Sequence, residues 1–117
     1  MKIFEPLAVG RDEHTLHSRV MFGPIETNLG LGRAFSKEHV AFYERRAAGG
    51  AGIIVTEIAS VHESDWPYER APLASCAGTG WASIVAAVRN VAPECSERPE
   101  CLVLAGLGHS GGQGTSH

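Results

Sequence analysis

The sequence has little cysteine, no concentration of positive charge and no long apolar run. Its three cysteines are Cys76, Cys95 and Cys101. An odd number at irregular spacing is a poor disulfide framework, and Cys95 and Cys101 do not make the C-x-x-C of a metal knuckle. No metal site is therefore expected. Lys and Arg together number 10 against 13 Asp and Glu, for a formal net charge of −3, and the basic residues are scattered. That excludes the basic stripe of a nucleic-acid-binding protein. No apolar stretch approaches the roughly 20 residues of a membrane span. Met1-Lys2-Ile3-Phe4-Glu5-Pro6 lacks a signal-peptide core, because Glu5 and Pro6 interrupt it early. A cytoplasmic location is the expectation, with neither membrane nor nucleic acid as a partner.

What remains is ordinary for a globular chain, with 44% hydrophobic and 20% charged residues. At 117 residues it is long enough for one small domain and too short for two. Phe4–Val9 and Thr15–His17, separated by the turn-like Gly10–Glu13, suggest an N-terminal hairpin. Arg19-Val20-Met21-Phe22 is an apolar run stopped by Gly23-Pro24 and reads as a buried strand. Ser36 is a good N-cap for a helix over residues 37–48, closed by Gly49-Gly50. Val40, Tyr43 and Ala47 share one face of that helix, while Glu38, Arg45 and Arg46 point to water.

Gly52 to Glu57 reads as a strand buried on both faces. Residues 59–80 show no period and read as a long functional or mobile loop. Trp81–Asn90 is a helix, Ala92–Glu100 a connector, and Cys101–Ala105 a third buried strand. Strands alternating with helices imply an α/β fold with a parallel sheet and right-handed crossovers. Ligands in such folds collect beyond the carboxyl ends of the strands. Three segments lie there: residues 23–27, 56–59 and 106–114.

Gly106-Leu107-Gly108-His109-Ser110-Gly111 spells G-x-G-x-x-G after a strand. A dinucleotide turn needs a helix opening at its third glycine, since the helix N-terminus supplies the N–H groups and the dipole. Residues 112–117 are too glycine-rich and too few for that, so a glycine-rich strand-end loop is the better reading. His109 reads as a structural or ligand-contacting residue. His14, His17, His39 and His62 read as surface or loop residues, and Glu57 as a carboxylate paired with Arg19 or another base. Ser110 has no G-x-S-x-G elbow around it, which disfavours a hydrolase nucleophile.

Several blocks resemble, in order, the N-terminal part of the old yellow enzyme family of flavin-dependent oxidoreductases. They are Phe4-Glu5-Pro6-Leu7, Arg19-Val20-Met21-Phe22-Gly23-Pro24-Ile25-Glu26-Thr27-Asn28, residues 39–57 ending Gly49-Gly50-Ala51-Gly52-Ile53-Ile54-Val55-Thr56-Glu57, and Leu107-Gly108-His109-Ser110-Gly111. The resemblance is nearest to the larger branch that includes dienoyl-CoA reductases. It implies the N-terminal portion, about three βα units plus the hairpin, of a (β/α)8 TIM barrel. It also implies FMN across the carboxyl ends of the strands, with NADH or NADPH as electron donor. Pro24, Ile25 and Thr27 would contact the flavin, the Thr27 hydroxyl near a flavin carbonyl, where a donor stabilises the negative charge of the reduced ring. Ala59 would pack against the flavin from the second strand, and Gly106 stands at a third-strand position where the family usually has Gln.

A complete barrel needs about 250 residues. The expectation is thus one partial FMN-binding domain, residues 1–117, from an oxidoreductase that passes hydride through flavin to an activated alkene or related small molecule. The isolated chain is expected to be inactive, with catalytic residues unassigned. A 4Fe–4S cluster, where the larger branch carries one, would lie in a later part. The competing reading is a non-catalytic half-barrel that dimerises as a homo-oligomer or binds a partner. A small Rossmann-type nucleotide binder ranks third.

Overall fold

The computed structural model describes residues 3–11, 14–91 and 100–113. Cys95 and the connector over residues 92–99 lie outside them, as do residues 114–117 of the glycine-rich end. β1 (Leu7–Val9) and β2 (His14–Leu16) form the expected antiparallel hairpin, in register Leu7↔Leu16. The chain then enters a parallel sheet through β3 (Met21–Phe22), crosses over by α1 (Lys37–Ala48), returns as β4 (Ile53–Val55) and extends into β5 (Ala59–Ser60). A second crossover by α2 (Gly78–Asn90) leads to β6 (Leu102–Leu104) and β7 (Leu107–Gly108). The main sheet has the order β3-β4-β6, with Phe22 beside Ile54 and Ile54 beside Val103. β5 and β7 pair in parallel beyond it, Ala59 opposite Leu107 and Ser60 opposite Gly108.

α1 begins where the sequence says it should. The Ser36 hydroxyl accepts the His39 N–H, and the His39 ring accepts the Ser36 N–H in return, a capping box with His in place of the usual Glu or Gln. The helix buries His39, Tyr43 and Ala47, one row at four-residue spacing. Val40 is only half-buried. α2 starts three residues before Trp81, because Gly80 lets the helix lie against Phe35: a Cβ at position 80 would stand 2.5 Å from the Phe35 Cβ. Between helices and sheet lies one core of Phe35, Tyr43, Ala47, Ile54, Ile84 and Val88, flanked by Phe22, Trp81 and Val103.

Three readings need correction. Residues 59–80 are not structureless: β5 and a 3-10 turn over Ala74–Cys76 lie within them. Neither β3 nor β6 is a buried strand, since each stands at an edge of the described sheet, with Met21 62% and Leu104 46% exposed. His17 is a buried residue of the hairpin's end, not a surface one.

The hairpin packs at the amino end of β6. The His17 N–H donates to the Glu100 carbonyl at 3.2 Å, and the Glu100 carboxylate receives the Thr15 N–H at 3.2 Å and contacts His14 Nδ1 at 2.6 Å. This leaves the carboxyl ends of the strands clear for the site.

Candidate functional site at the carboxyl ends of the strands

Beyond β3, β5 and β7 lies a cleft of about 410 Å³. Pro24 and Ile25 from the β3 end, Ile58 beside β5, and Leu107 from β7 supply its apolar surface. Glu26, Asp65, Tyr68, His109 and Ser110 supply polar groups. Ile25, Ile58 and Leu107 are exposed by 50%, 41% and 56%, an apolar rim that invites a flat apolar ligand.

Behind the cleft is a polar network that holds the strand ends together. Glu57, fully buried, follows β4. Its Oε1 accepts the Thr27 hydroxyl at 2.5 Å and stands 2.7 Å from His39 Nε2; its Oε2 accepts the Tyr68 hydroxyl. The Glu57 N–H donates to the Tyr43 hydroxyl oxygen at 2.6 Å. Because His39 Nδ1 accepts the Ser36 N–H, the ring proton sits on Nε2, where it faces Glu57 and, at 2.9 Å, Thr27. Burial alone would raise the Glu57 pKa, but the hydrogen bonds from His39, Thr27 and Tyr68 outweigh it, so the carboxyl titrates below its ordinary value. Burial, its bond to Glu57 and that residue's charge push the Tyr68 hydroxyl well above its ordinary value. Burial pushes Tyr43 up to about 12.

The far wall is the segment after β5. Arg33 clamps it, donating from Nε to the Ala71 carbonyl at 3.2 Å and from its two terminal nitrogens to the Glu63 and Asp65 carbonyls at 3.2 and 2.7 Å. The same guanidinium lies 4.6 Å over Trp66. Asp65 is thereby sunk into the cleft wall, 2% exposed, with its Oδ1 lacking any hydrogen-bond partner among the described residues. Burial opposes its ionisation; the nearby Ser60 and Ser110 hydroxyls, the Ser110 N–H and His109 outweigh burial and keep its pKa below the ordinary carboxylate value.

The structure brings Pro24 and Ile25 to the cleft surface, and leaves Thr27, Ala59 and Gly106 behind it. The Thr27 proton is given to Glu57. Ala59 is fully buried, with Ile58 and Ser60 on either side reaching the cleft. Gly106 is a tight junction: a Cβ there would stand 2.5 Å from the Thr56 carbonyl oxygen and 2.8 Å from the Ile58 side chain. Glu57 does pair with a base, as expected, but the base is His39 at 2.7 Å and not Arg19, whose side chain among the described residues reaches the Pro6 carbonyl; Thr27 and Tyr68 complete the set. His39 is likewise corrected from the surface to full burial. A signal for it existed: His39, Tyr43 and Ala47 share the i, i+4, i+8 row of α1. For Arg33, Asp65 and Tyr68 nothing in the local pattern announced their meeting. Among the described residues no cluster of His, Cys, Asp or Glu could hold a metal ion, and no helix is long and apolar enough to cross a membrane.

Parallel strands alternating with helices, and a cleft at their carboxyl ends, are the arrangement of part of a (β/α)8 barrel. The particular likeness is to old yellow enzymes, as the sequence blocks suggested. The chain superposes on the old yellow enzyme from Trypanosoma cruzi with a TM-score of 0.76 at 24% identity, covering 97% of this chain and 28% of that one. Against morphinone reductase in complex with tetrahydroNAD the values are 0.77, 22%, 97% and 29%. Against a 2-naphthoyl-CoA reductase they are 0.80, 17%, 97% and 16%. The chain therefore spans less than a third of the length of these enzymes. No family model matches the sequence, and no curated protein does.

Proposed function

We propose that this chain is the first part of the barrel of an FMN-dependent oxidoreductase of the old yellow enzyme type, and that it forms one wall of the flavin site. The observation that carries this is the cleft at the strand ends, with its exposed Ile25, Ile58 and Leu107. On this reading β3, β4–β5 and β6–β7 are three successive barrel strands, the first two each followed by its helix, and the hairpin closes the opposite end. The residues present fit a flavin: apolar side chains for the face of a planar ring, and the unpartnered Asp65 oxygen for its polar edge.

When bound, FMN would accept hydride from NADH or NADPH and deliver it to an activated alkene or a related small molecule. Pro24, Ile25, Ile58 and Leu107 would exclude water from the ring. The Glu57 network ties the ends of β3 and β4 to α1 and the Tyr68 segment, which keeps that wall stiff. Thr27 contributes through Glu57, while Ala59 and Gly106 set how closely β5 and β7 approach. Tyr68 does not supply a proton near neutrality, because its hydroxyl is bonded to Glu57 and its pKa is raised. We therefore expect no enone reduction by this chain alone.

Titration of FMN with the protein, read by quenching of flavin fluorescence, tests the reading. Saturable quenching supports it, and its absence overturns it. A second reading, a half-barrel that pairs with a copy of itself or a partner, draws on both edges of the assembly. Met21 on one side is 62% exposed, and Leu104 and Leu107 on the other are 46% and 56% exposed. Size exclusion with light scattering decides that reading: a monodisperse dimer favours it and a monomer removes it.

A further inference from the structure

The described residues contain two side chains with buried polar atoms that have no hydrogen-bond partner, His17 and Asp65. Native proteins leave few such atoms, because each costs its desolvation without return. His17 sits at the hairpin, at the amino end of the sheet, away from any cleft residue. Asp65 lies in the cleft wall itself.

Its placement is held from several sides. Arg33 fixes the Asp65 backbone carbonyl from below while its ring partner Trp66 packs on the guanidinium. Ser60 from β5, and Ser110 and His109 after β7, stand around the carboxylate, yet none of them bonds Oδ1. His109 is itself oriented, its Nδ1 accepting the Gly111 N–H at 2.8 Å. A charged acceptor held in the wall of a cleft and short of one donor is suited to receive a ligand N–H. The apolar part of the same cleft, Pro24, Ile25, Ile58 and Leu107, suits an uncharged ring better than a strongly hydrated ammonium group.

We propose that Asp65 is a ligand-binding residue of this cleft, its carboxylate accepting the imide N3–H of the flavin pyrimidine. This rests on the flavin reading above. The carboxylate would recognise the imide edge and reject a ring lacking that proton, since the charged acceptor would then be buried unpaired.

The experiment is a binding cycle on the full chain: FMN and FMN methylated at N3, each titrated into wild type and Asp65→Ala by flavin fluorescence. In wild type, methylation is expected to weaken binding about tenfold or more, the size of a hydrogen bond to a charged group. In Asp65→Ala that penalty is expected to disappear. FMN binding with the same methylation penalty in both proteins overturns this proposal and leaves the flavin reading standing. No FMN binding to wild type overturns both. Should Asp65→Ala fail to fold by circular dichroism, Asp65→Asn keeps the size and one acceptor oxygen. It is expected to discriminate against the methylated ring less than wild type does, and unchanged discrimination overturns the proposal.

Discussion

Replacing Glu57 with Gln tests the buried network with almost no change of volume. In the native protein the fully buried carboxylate accepts from Thr27 and His39 on one oxygen and from Tyr68 on the other. Each is a hydrogen bond to a charged acceptor, worth about 1.5–3 kcal/mol, against about 0.5–1.5 kcal/mol for a neutral one. A Gln can turn its carbonyl oxygen toward Thr27 and His39, but its amide then faces the Tyr68 hydroxyl, which must rotate to accept. Three bonds weakened by about 1 kcal/mol each, offset by the lower cost of burying a neutral group, give a net loss of about 2 kcal/mol. That is a large part of a typical folding free energy. The pH dependence carries a second signature. The Glu57 pKa is lower in the folded protein than its ordinary 4.5, so its stabilisation is present above pH 4.5 and is lost as pH falls through the folded value. Glu57→Gln removes that component, and the two proteins should converge in stability under acid. Urea unfolding at pH 7 and again below pH 4 measures both. An unchanged midpoint at pH 7, or a gap that persists in acid, would refute the reasoning.

Ser36→Ala removes the hydroxyl that accepts the His39 N–H and is expected to cost about 1 kcal/mol, read as a lower thermal midpoint. Tyr43 titrates at about 12 in the folded chain against an ordinary 10.0, so its contribution is complete below pH 10 and is lost as pH rises through about 12. Tyr43→Phe should abolish that alkaline component in a pH series of unfolding curves, while freeing the Glu57 N–H at some cost in stability at every pH. Arg33→Lys cannot reach three carbonyls at once and loses its planar stacking on Trp66, so Trp66 emission is expected to shift to the red and proteolysis between residues 61 and 70 to quicken. Unaltered emission and cleavage would show that the clamp is dispensable.

The regular parts of this fold were legible because they follow from local chemistry. Ser36 and Gly49-Gly50 bound α1 by capping alone, and the β-branched Ile53-Ile54-Val55 needs no partner to read as a strand. The site was legible where its residues directly follow a strand, as Pro24 and Ile25 follow β3 and His109 and Ser110 follow the apolar run of the third strand. Its polar part joins residues far apart in sequence. Glu57 meets His39 across a helix and a strand, and Arg33 meets Asp65 across 32 residues. No periodicity encodes such pairs. His39 also misled because histidine is as much at home on a surface as in a core, and only its row with Tyr43 and Ala47 marked it as inward. β5 and β7 were missed since each is two residues long and gains strand character only by pairing with the other.

The central claim, that the cleft between β3, β5 and β7 holds a flavin, is most directly tested by hydrogen–deuterium exchange of the chain with and without FMN. Slowed exchange confined to residues 23–26, 58–60 and 107–110 is the expected result. Exchange unchanged in those segments, or slowed instead along the outer faces of α1 and α2, would contradict it.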